Sequence, residues 1–424
     1  MEETIRIKLF DNSTVKIFFL LLPFSYALTF NVGFPLKISE IALFILVLLL
    51  ILKFKFTFPI LETRIFSVLS IFILITLIST SINIFWEYPY QLQEYESRFG
   101  YKFDSILKFF YLLLAFFTFI ICNNIFYLNE EKYVKYFLLG AFIASLYSWY
   151  LFLSGLLSLT PLLLPGMEEP QQLGTSMGIF IRSGTFKEGN YMGLFLVFSI
   201  ILSFYLKKTR LAYFFIATLL TTFSSIALAC TVLFLIGYYF KNFYNKKHLL
   251  RLIGVFIVLI VSFFLLLQTE DFKLLVVSKF TRGSGDISNV GEYSKVDRMN
   301  SALVGFKIGL ENPILGVGLS NYSLHYKQFN EDIRFENIES KRIANNIYVE
   351  IFAETGVFGF LLFLYLLVHL FQQTKYDETG ALRFGILVCL VYFFAFPTFT
   401  TLYIWAFFGL VSSLHARKNE SYLH

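Results

Sequence analysis

The sequence predicts an all-α polytopic membrane protein, and three observations support this prediction. Hydrophobic residues make up 57% of the 424-residue chain, and charged residues only 15%. The chain contains 55 phenylalanines and 26 tyrosines, far more than one soluble core needs. Continuous apolar runs of about 17 to 20 residues recur along it, which is the length that a helix needs to cross the hydrocarbon core of a bilayer. A membrane β-barrel would instead show short alternating strands.

The apolar runs predict about twelve transmembrane helices and a large, partly helical loop that caps the bundle. Residues 1–268 hold helices 1 to 9 and a smaller polar loop near 158–188. Residues 269–355 form the large loop, and residues 356–424 hold helices 10 to 12 and a polar tail. The predicted spans are 15–31, 38–53, 66–85, 103–122, 134–157, 189–206, 211–223, 224–240, 252–268, 356–372, 383–397 and 399–415.

Lysine and arginine residues determine the predicted orientation. They concentrate in alternate loops, such as KKTR at 207–210, and near both ends of the chain. The positive-inside rule places these segments in the cytoplasm, so we expect cytoplasmic termini and two exterior polar loops. A single tilted span over 211–240 would put its flanking basic segments on opposite sides of the membrane. We therefore predict two short antiparallel helices with a break near TTFSS at 221–225.

The large loop is predicted to fold into a partly helical cap. Loops longer than about 15 residues without regular structure are usually functional or disordered. This loop contains the apolar patches FKLLVV and ALVGFKIGL and the turn signals GSGD and ENP. Such a mixture is more typical of a folded segment than of a connector.

The two exterior loops share a spacing in which an arginine is followed by ten residues and then a glycine. Arg182 and Gly193 form the first pair, and Arg298 and Gly309 the second. The planar fork of an arginine binds phosphate oxygens through two hydrogen bonds and stays charged, and a helix N-terminus adds backbone N–H donors. Two such arginines could hold the diphosphate of a lipid. Ordinary solvation of arginine at a membrane interface explains the same spacing more simply.

Polar residues cluster at the mouth of the tenth predicted span, in NNIYVEIFAETGVFGF at 345–360. Asn346, Glu350 and Glu354 fall near one face of a helix because they are four residues apart. Asn345 or Asn346 could cap that helix, a role that needs no function. The two glutamates lie where the apolar run begins, and ionisable groups at membrane depth indicate function.

Together these motifs resemble the bacterial O-antigen polymerase and O-antigen ligase family. The C-terminal signature of that family is a histidine, then Asn, Ser or Gln, then nine residues and Gly-x-x-Gly. Here Asn346 is followed by nine residues and then by Gly356 and Gly359. The segment DRMNSALVGFKIGLENPILGVGLSNY is similar to the family's pattern of arginine, helix, Asn-Pro and Gly-x-Gly. The paired arginine–glycine spacing resembles two exterior-loop motifs of the polymerases.

The resemblance implies a membrane glycosyltransferase of the C class (GT-C) in the bacterial inner membrane, with its active loops in the periplasm. Undecaprenyl-diphosphate-linked glycans would be donor and acceptor of a polymerase, and the bilayer and a chain-length regulator its other partners. The alternative is a ligase that transfers the glycan to a lipid A core. The implied catalytic residues are Arg182, Glu188, Arg298, Asn345 and Glu350, and the implied substrate-binding residues are Asn190, Gly316, Gly318, Asn346, Tyr348 and Glu354.

The chain departs from the family at two places. Asn345 stands where the family has the histidine that is thought to deprotonate the acceptor, and an asparagine cannot accept that proton. Ser224 and Ser225 stand where many members carry Ser-Arg. The missing histidine favours a polymerase over a ligase. The remaining candidates for a general base are Glu188, Glu350, Glu354 and, more weakly, His325.

No cofactor or metal is expected, because the sequence contains neither a nucleotide-binding loop nor an Asp-x-Asp pair. The net charge of +6 comes largely from the cytoplasmic loops, so it indicates orientation and not nucleic acid as a partner.

A transporter or flippase is the main alternative from another class. Transporters carry ionisable residues or broken helices near the midplane of several spans. The clear candidates here are Asp104 and Lys108, four residues apart near the exterior end of one predicted span. We expect them to form a local pair.

Overall fold

The structure is a computed structural model that describes residues 13–31, 34–53, 62–85, 100–168, 170–175, 178–240, 254, 290–335 and 342–421. Apart from Gly254, the predicted span at 252–268 lies outside these residues. The first part of the large loop, 269–289, also lies outside them, as do the basic residues Lys241, Lys246, Lys247 and Arg251.

The first half of the described chain consists of helices and two small hairpins. In chain order the elements are α1 (Ser13–Leu21), β1 (Thr29–Asn31), β2 (Pro35–Lys37), α2 (Ile38–Lys53), α3 (Thr63–Phe85), α4 (Tyr101–Leu156), β3 (Gln172–Thr175), β4 (Gly178–Ile181), α5 (Gly189–Tyr205), α6 (Thr209–Thr221) and α7 (Ser225–Phe240).

The second half contains helices joined by turns, without a strand, in the residues that the structure describes. Its elements are α8 (Val290–Glu311), α9 (Tyr322–Phe329), α10 (Ile347–Gln373), α11 (Ala381–Tyr392) and α12 (Leu402–Ser421), with short 3₁₀ turns at Ile333–Phe335, Thr374–Tyr376 and Phe393–Ala395.

Three of the described helices are long and apolar enough to cross a membrane, over Arg64–Phe85, Tyr101–Leu156 and Ile347–Tyr376. Shorter apolar helices accompany them, among them α5, α6, α7 and α11. The protein is therefore a helical membrane protein, as the composition predicts. The number of twelve spans stays a prediction.

Helix α4 contains two of the predicted spans, 103–122 and 134–157. Its 56 residues are interrupted at Asn129, whose backbone angles (φ −160°, ψ 78°) are not helical. The Asn129 side chain accepts a hydrogen bond from the backbone N–H of Lys132 at 3.1 Å. This is the bond of a helix N-cap, so Asn129 begins a second helical segment.

The predicted break in residues 211–240 is confirmed. Helix α6 ends at Thr221 and α7 begins at Ser225, with Phe223 at a positive φ of 49° between them. The Tyr213 hydroxyl near the start of α6 lies 3.3 Å from the Tyr239 hydroxyl near the end of α7. The two helices are therefore antiparallel, as the positive-inside rule requires.

Two antiparallel hairpins depart from the all-α prediction. Strand β1 pairs with β2, and β3 pairs with β4 in the register Gln172 opposite Ile181. The second hairpin lies in the predicted loop 158–188 and ends one residue before Arg182. In each hairpin, backbone N–H and C=O groups of a loop bond to each other. These groups would otherwise lack hydrogen-bond partners.

Helix α5 lies at the centre of the bundle, and nearly all its residues are buried. The ring of Phe198 in α5 stacks on the ring of Phe407 in α12, and the two ring centroids are 4.5 Å apart. Helix α12 also approaches α4 closely at Gly409, where an added Cβ would lie 2.8 Å from the Phe119 carbonyl oxygen. A small residue permits this contact between backbones.

A second, smaller core lies under the described part of the large loop. It joins α8, α9 and the start of α10 through the buried residues Val304, Ile308, Val317, Tyr322, Tyr326, Ala344 and Ala353. The described residues of this loop are thus partly helical and have a core of their own.

Candidate active site

The predicted boundary between the cap and the tenth span falls at a kink inside α10. Gly356 interrupts the helix with a φ of 68°. The turn after α8 fits against this kink: Val317 N donates to Ala353 O at 2.9 Å, Gly318 N to Glu354 O at 3.0 Å and Val357 N to Pro313 O at 2.7 Å. These bonds satisfy backbone groups that the kink leaves without helical partners.

Two glycines predicted to bind substrate belong to this joint. Gly316 and Gly318 have φ values of 67° and 82°. A Cβ on Gly316 would lie 2.5 Å from the Glu354 carbonyl carbon, and one on Gly356 would lie 2.3 Å from the Ile314 carbonyl oxygen. Gly316 is thus explained by backbone packing between the turn and α10, whereas a Cβ on Gly318 would lie 3.0 Å from the Asn83 Cβ of α3.

The N-terminus of α10 is held by three residues of the signature. Asn345 adopts a positive φ of 54°, a conformation in which asparagine and histidine are both enriched. The Asn346 side chain accepts hydrogen bonds from Tyr348 N at 3.0 Å and Val349 N at 3.2 Å, so the capping explanation is confirmed. The Tyr348 hydroxyl donates to Leu390 O at 2.8 Å and ties α10 to α11.

The two signature glutamates share one lysine from a distant helix. Lys108 Nζ of α4 lies 2.7 Å from Glu350 Oε1, and 2.8 and 2.6 Å from the two oxygens of Glu354. Both glutamates are buried, with exposed fractions of 4% and 1%. The expectation that a local pair with Asp104 accounts for Lys108 is wrong, because the lysine bridges α4 and α10.

The two carboxylates differ in how fully they are bonded. Glu354 Oε1 also accepts a hydrogen bond from Ser320 N at 3.0 Å, so both its oxygens are engaged. Glu350 Oε2 is buried without a hydrogen bond of normal geometry among the described residues. Two carboxylates and one ammonium leave a net charge of −1, and Glu350 has the remaining capacity to accept a proton.

A cavity of about 240 Å³ opens beside this triad. Its lining combines charged groups, tyrosine rings and hydroxyl groups, a composition that suits a polar ligand such as a sugar. The lining residues are Asp104, Leu107, Lys108, Tyr111, Tyr191, Ser320, Tyr322, Arg342, Ile343, Ala344, Glu350, Glu354, Pro397, Thr398 and Thr400.

Arg182 follows strand β4 and is half-buried. Its guanidinium lies against the start of α5, where a Cβ on Gly189 would be 2.8 Å from Arg182 Nε. That Nε is buried and has no hydrogen-bond partner within the described chain. Burial lowers the pKa of the Arg182 guanidinium, and the charge of Arg298 lowers this pKa further. The two arginines therefore lie within electrostatic reach of each other.

Asn190 and Glu188 stand next to Arg182 at the start of α5. Asn190 is buried, and its Oδ1 accepts a hydrogen bond from Ser224 Oγ at 2.9 Å. The backbone oxygen of Asn190 accepts a second bond from the Tyr392 hydroxyl at 2.8 Å. Glu188 is half-buried. Its negative charge raises the pKa of Arg182, whereas the charge of Arg298 lowers it. The next residue, Tyr191, lines the cavity.

The glycines of the two arginine motifs have a packing role. A Cβ on Gly193 would lie 2.8 Å from the Ala227 Cβ and 2.9 Å from the Tyr392 hydroxyl. A Cβ on Gly309 would lie 2.4 Å from the Phe352 ring. Each glycine lets the helix beside its arginine approach a neighbouring helix.

Arg342 is a cavity residue that the sequence did not indicate. It pairs with Asp297, the neighbour of Arg298 on α8. Its guanidinium also lies 5.4 Å from the Tyr326 ring centroid and 5.7 Å from that of Phe335. Arg342 thus links α8, and with it Arg298, to the wall of the cavity.

Comparison with known proteins adds one finding. Residues 195–364 match the family model described as O-antigen ligase, and a search of curated proteins finds no match. The matched range begins inside α5 and ends inside α10, so it includes Arg298, the glycine turn and both glutamates. Residues 195–364 are therefore similar to the O-antigen ligase family, in agreement with the resemblance of the sequence motifs.

Proposed function

We propose that this protein transfers a glycan from a lipid diphosphate to a hydroxyl group of an acceptor sugar. The observation that supports this most is the electrostatic coupling of two arginines: burial lowers the pKa of Arg182, and the charge of Arg298 lowers it further. Two positive charges that act on each other favour the binding of an anionic group between them. A diphosphate is such a group, and arginine forks match its oxygens.

In the proposed reaction the acceptor oxygen attacks the anomeric carbon of the donor glycan. A carbon–oxygen bond forms there, and the bond from the same carbon to the diphosphate oxygen breaks. The lipid diphosphate leaves with the bonding electrons, and the two arginines stabilise the charge that develops on it. The proton of the acceptor hydroxyl passes to a carboxylate.

Glu350 is the best supported proton acceptor. Asparagine at position 345 cannot take a proton, and both oxygens of Glu354 are engaged by Lys108 and Ser320. Glu350 lines the cavity and has an oxygen without a well-formed hydrogen bond among the described residues. Lys108, bonded to its other oxygen, would orient it towards the acceptor.

The more specific proposal is a polymerase that joins lipid-linked repeat units on the periplasmic side of the inner membrane, without a metal ion. The replacement of the family histidine by Asn345 supports it. A ligase that transfers the glycan to a lipid A core is the second candidate, which the description of the matched family model favours.

The test is a transfer assay with the purified protein and undecaprenyl-diphosphate-linked repeat units. A ladder of longer lipid-linked glycans is expected from a polymerase, and transfer to lipid A core alone from a ligase. Arg298→Ala should reduce either product at least about a hundredfold, by analogy with the loss of one oxyanion donor. Glu350→Gln should lower kcat while leaving KM nearly unchanged.

The matched control is Arg334→Ala. Arg334 is also an arginine of the large loop, but it is exposed and pairs with Asp332 at 2.5 Å. It should retain full activity. Full activity of a folded Arg298→Ala protein would refute the proposed role of the two arginines.

A further inference from the structure

Tyrosines form part of the cavity wall, and one of them differs from the others in the hydrogen bonding of its hydroxyl group. Tyr111, Tyr191 and Tyr322 are the tyrosines among the described residues that line the cavity. The Tyr111 hydroxyl donates to Pro35 O at 3.0 Å, and the Tyr322 hydroxyl donates to Ser301 O at 2.7 Å. The Tyr191 hydroxyl makes no hydrogen bond to the residues that the structure describes. Because a tyrosine hydroxyl can donate and accept, Tyr191 has both capacities left for a ligand.

The rest of Tyr191 is fixed by contacts that do not use its hydroxyl. Its backbone N–H donates to Glu188 O at 3.1 Å. Its carbonyl oxygen accepts a hydrogen bond from the Tyr403 hydroxyl at 3.1 Å. Its ring meets the ring of Phe396 edge-on, with the two centroids 4.8 Å apart. A phenylalanine at position 191 would keep all three contacts, so the described contacts give the hydroxyl no part in holding the fold.

Tyr191 stands between the arginine side and the carboxylate side of the site. It lies two residues after Gly189, where an added Cβ would be 2.8 Å from Arg182 Nε. It lines the same cavity as Glu350. The carboxylates of Glu188 and Glu350 both lie within electrostatic reach of its hydroxyl. Tyr191 therefore connects the part of the site that would hold the diphosphate with the part that would take up a proton.

On the basis of the proposed function, we propose that the Tyr191 hydroxyl hydrogen-bonds the sugar that is attached directly to the diphosphate of the donor. In the proposed reaction the anomeric carbon of this sugar lies between the leaving diphosphate and the acceptor oxygen. Arg182 would hold the diphosphate, and Glu350 would take the proton of the acceptor. A hydroxyl group between these two residues can bind this sugar and hold its anomeric carbon in line for the attack.

Binding measurements test this contact without a transfer reaction. The full-length protein in lipid nanodiscs is titrated with two probes, which are undecaprenyl diphosphate linked to the repeat unit of the transfer assay and undecaprenyl diphosphate alone. Tyr191→Phe should weaken binding of the glycan-bearing probe about tenfold, as expected for one lost hydrogen bond. Its affinity for the probe without sugar should be unchanged. Equal changes for both probes, or no change for either, would overturn the proposal.

Donor analogues show whether the effect comes from a direct contact. In each analogue one hydroxyl group of the first sugar is replaced by hydrogen. With the unaltered protein, one analogue should lose about tenfold in kcat/KM. With Tyr191→Phe the same analogue should lose nothing further, because the hydrogen bond is already absent. If the two losses multiply for every analogue, Tyr191 does not touch this sugar and the proposal is wrong.

The matched control is Tyr205→Phe. Tyr205 lies near the other end of α5, and its hydroxyl donates to Glu130 Oε2 at 2.6 Å. This variant should have a slightly lower unfolding midpoint but full binding and activity. Tyr191→Phe should show the opposite pattern, with an unchanged midpoint and weaker binding of the glycan. A loss of midpoint in Tyr191→Phe as large as that in Tyr205→Phe would show that the hydroxyl serves the fold, against the proposal.

The outcomes separate the proposed contact from the proposed function. If the unaltered protein transfers glycan and Tyr191→Phe behaves in the same way, the contact is refuted and the function stands. If the unaltered protein binds the glycan-bearing probe but transfers nothing, the function fails, and the comparison of the two probes still decides the contact. If it binds neither probe, both proposals fail.

Discussion

At the scale of single residues, Lys108 is the most informative side chain. An isolated charge in an apolar helix is costly, so it is found where a partner or a function requires it. Its partners, Glu350 and Glu354, are 242 and 246 residues away in the chain. The signal in the sequence that could have indicated a distant partner for Lys108 was the position of this lysine inside an apolar run. Sequence spacing instead pairs Lys108 with the nearest opposite charge, Asp104, because spacing shows only local partners.

We predict that Lys108→Met destabilises the protein by about 3 to 5 kcal/mol, because it leaves two buried carboxylates without their counter-ion. The measurement is the thermal unfolding midpoint in detergent. Adding Glu350→Gln and Glu354→Gln to this variant should recover much of the loss, since no uncompensated charge then remains.

Lys135→Met is the matched control for this prediction. Lys135 lies on the same helical element but pairs with Glu131 at the surface, where both side chains are about half exposed. Its loss should leave the midpoint nearly unchanged. Equal effects of the two lysine substitutions would contradict a structural role for the buried triad.

At the scale of elements, the joint between the glycine turn and α10 fixes the geometry of the site. The backbone bonds of Val317 and Gly318 to α10 hold Ser320, whose N–H binds Glu354, beside the kink. The Asn83 side chain also donates to Gly316 O at 3.4 Å, which adds α3 to the joint. The Gly-x-Gly motif of Gly316 and Gly318 looks like a ligand-binding loop in the sequence. In the structure it is explained by the close approach of two backbone segments.

Gly316→Ala should therefore destabilise the protein more than strain alone predicts. The positive φ costs an alanine about 1 to 2 kcal/mol, and the added Cβ would collide with the backbone of Glu354 at 2.5 Å. Gly100→Ala is the control, because Gly100 has a φ of 84° but no atom within 4 Å of an added Cβ. Unfolding midpoints compare the two, and similar losses would show that the close approach contributes nothing.

At the scale of the whole molecule, the cap and the bundle form one packed structure. Ser105 Oγ of α4 donates to Asn321 Oδ1 at 3.0 Å, and Ser79 Oγ of α3 donates to Glu354 O at 3.0 Å. The bonds of Lys108 in α4 to Glu350 and Glu354 add to this connection. The cavity lies at the boundary between cap and bundle, so both must fold for it to exist.

The cap should lose stability in mild acid because of His325. Burial lowers the pKa of His325 from 6.5 to about 4. Between these values the unfolded chain takes up a proton that the folded protein does not, so stability falls as the pH falls from about 6.5 towards 4. From pH 7 to pH 5 the loss is about 2 kcal/mol.

The measurement for His325 is the thermal unfolding midpoint of the protein at pH 7 and at pH 5. His325→Gln should reduce the difference between the two, because glutamine does not titrate. An unchanged difference in this variant would show that other groups cause the acid sensitivity.

Several features of the molecule follow from local sequence. The long apolar runs specify membrane helices, since each residue contributes to hydropathy independently of its neighbours in space. The flanking lysines and arginines indicate the break between α6 and α7, and Asn346 is a helix cap by residue type. The motif order from Arg298 to Gly359 indicates the similarity to the O-antigen ligase family that residues 195–364 show.

The sequence by itself thus determined the helical membrane class, the helix break and the similarity to the O-antigen ligase family. Only the tertiary structure decided that Lys108 bridges the two signature glutamates, that Arg342 joins the cavity wall and that Gly316 and Gly318 serve packing. The physical reason is the same in each case. Hydropathy and capping depend on neighbours along the chain, whereas the partner of a buried charge and the space beside a glycine depend on helices that are far apart in sequence.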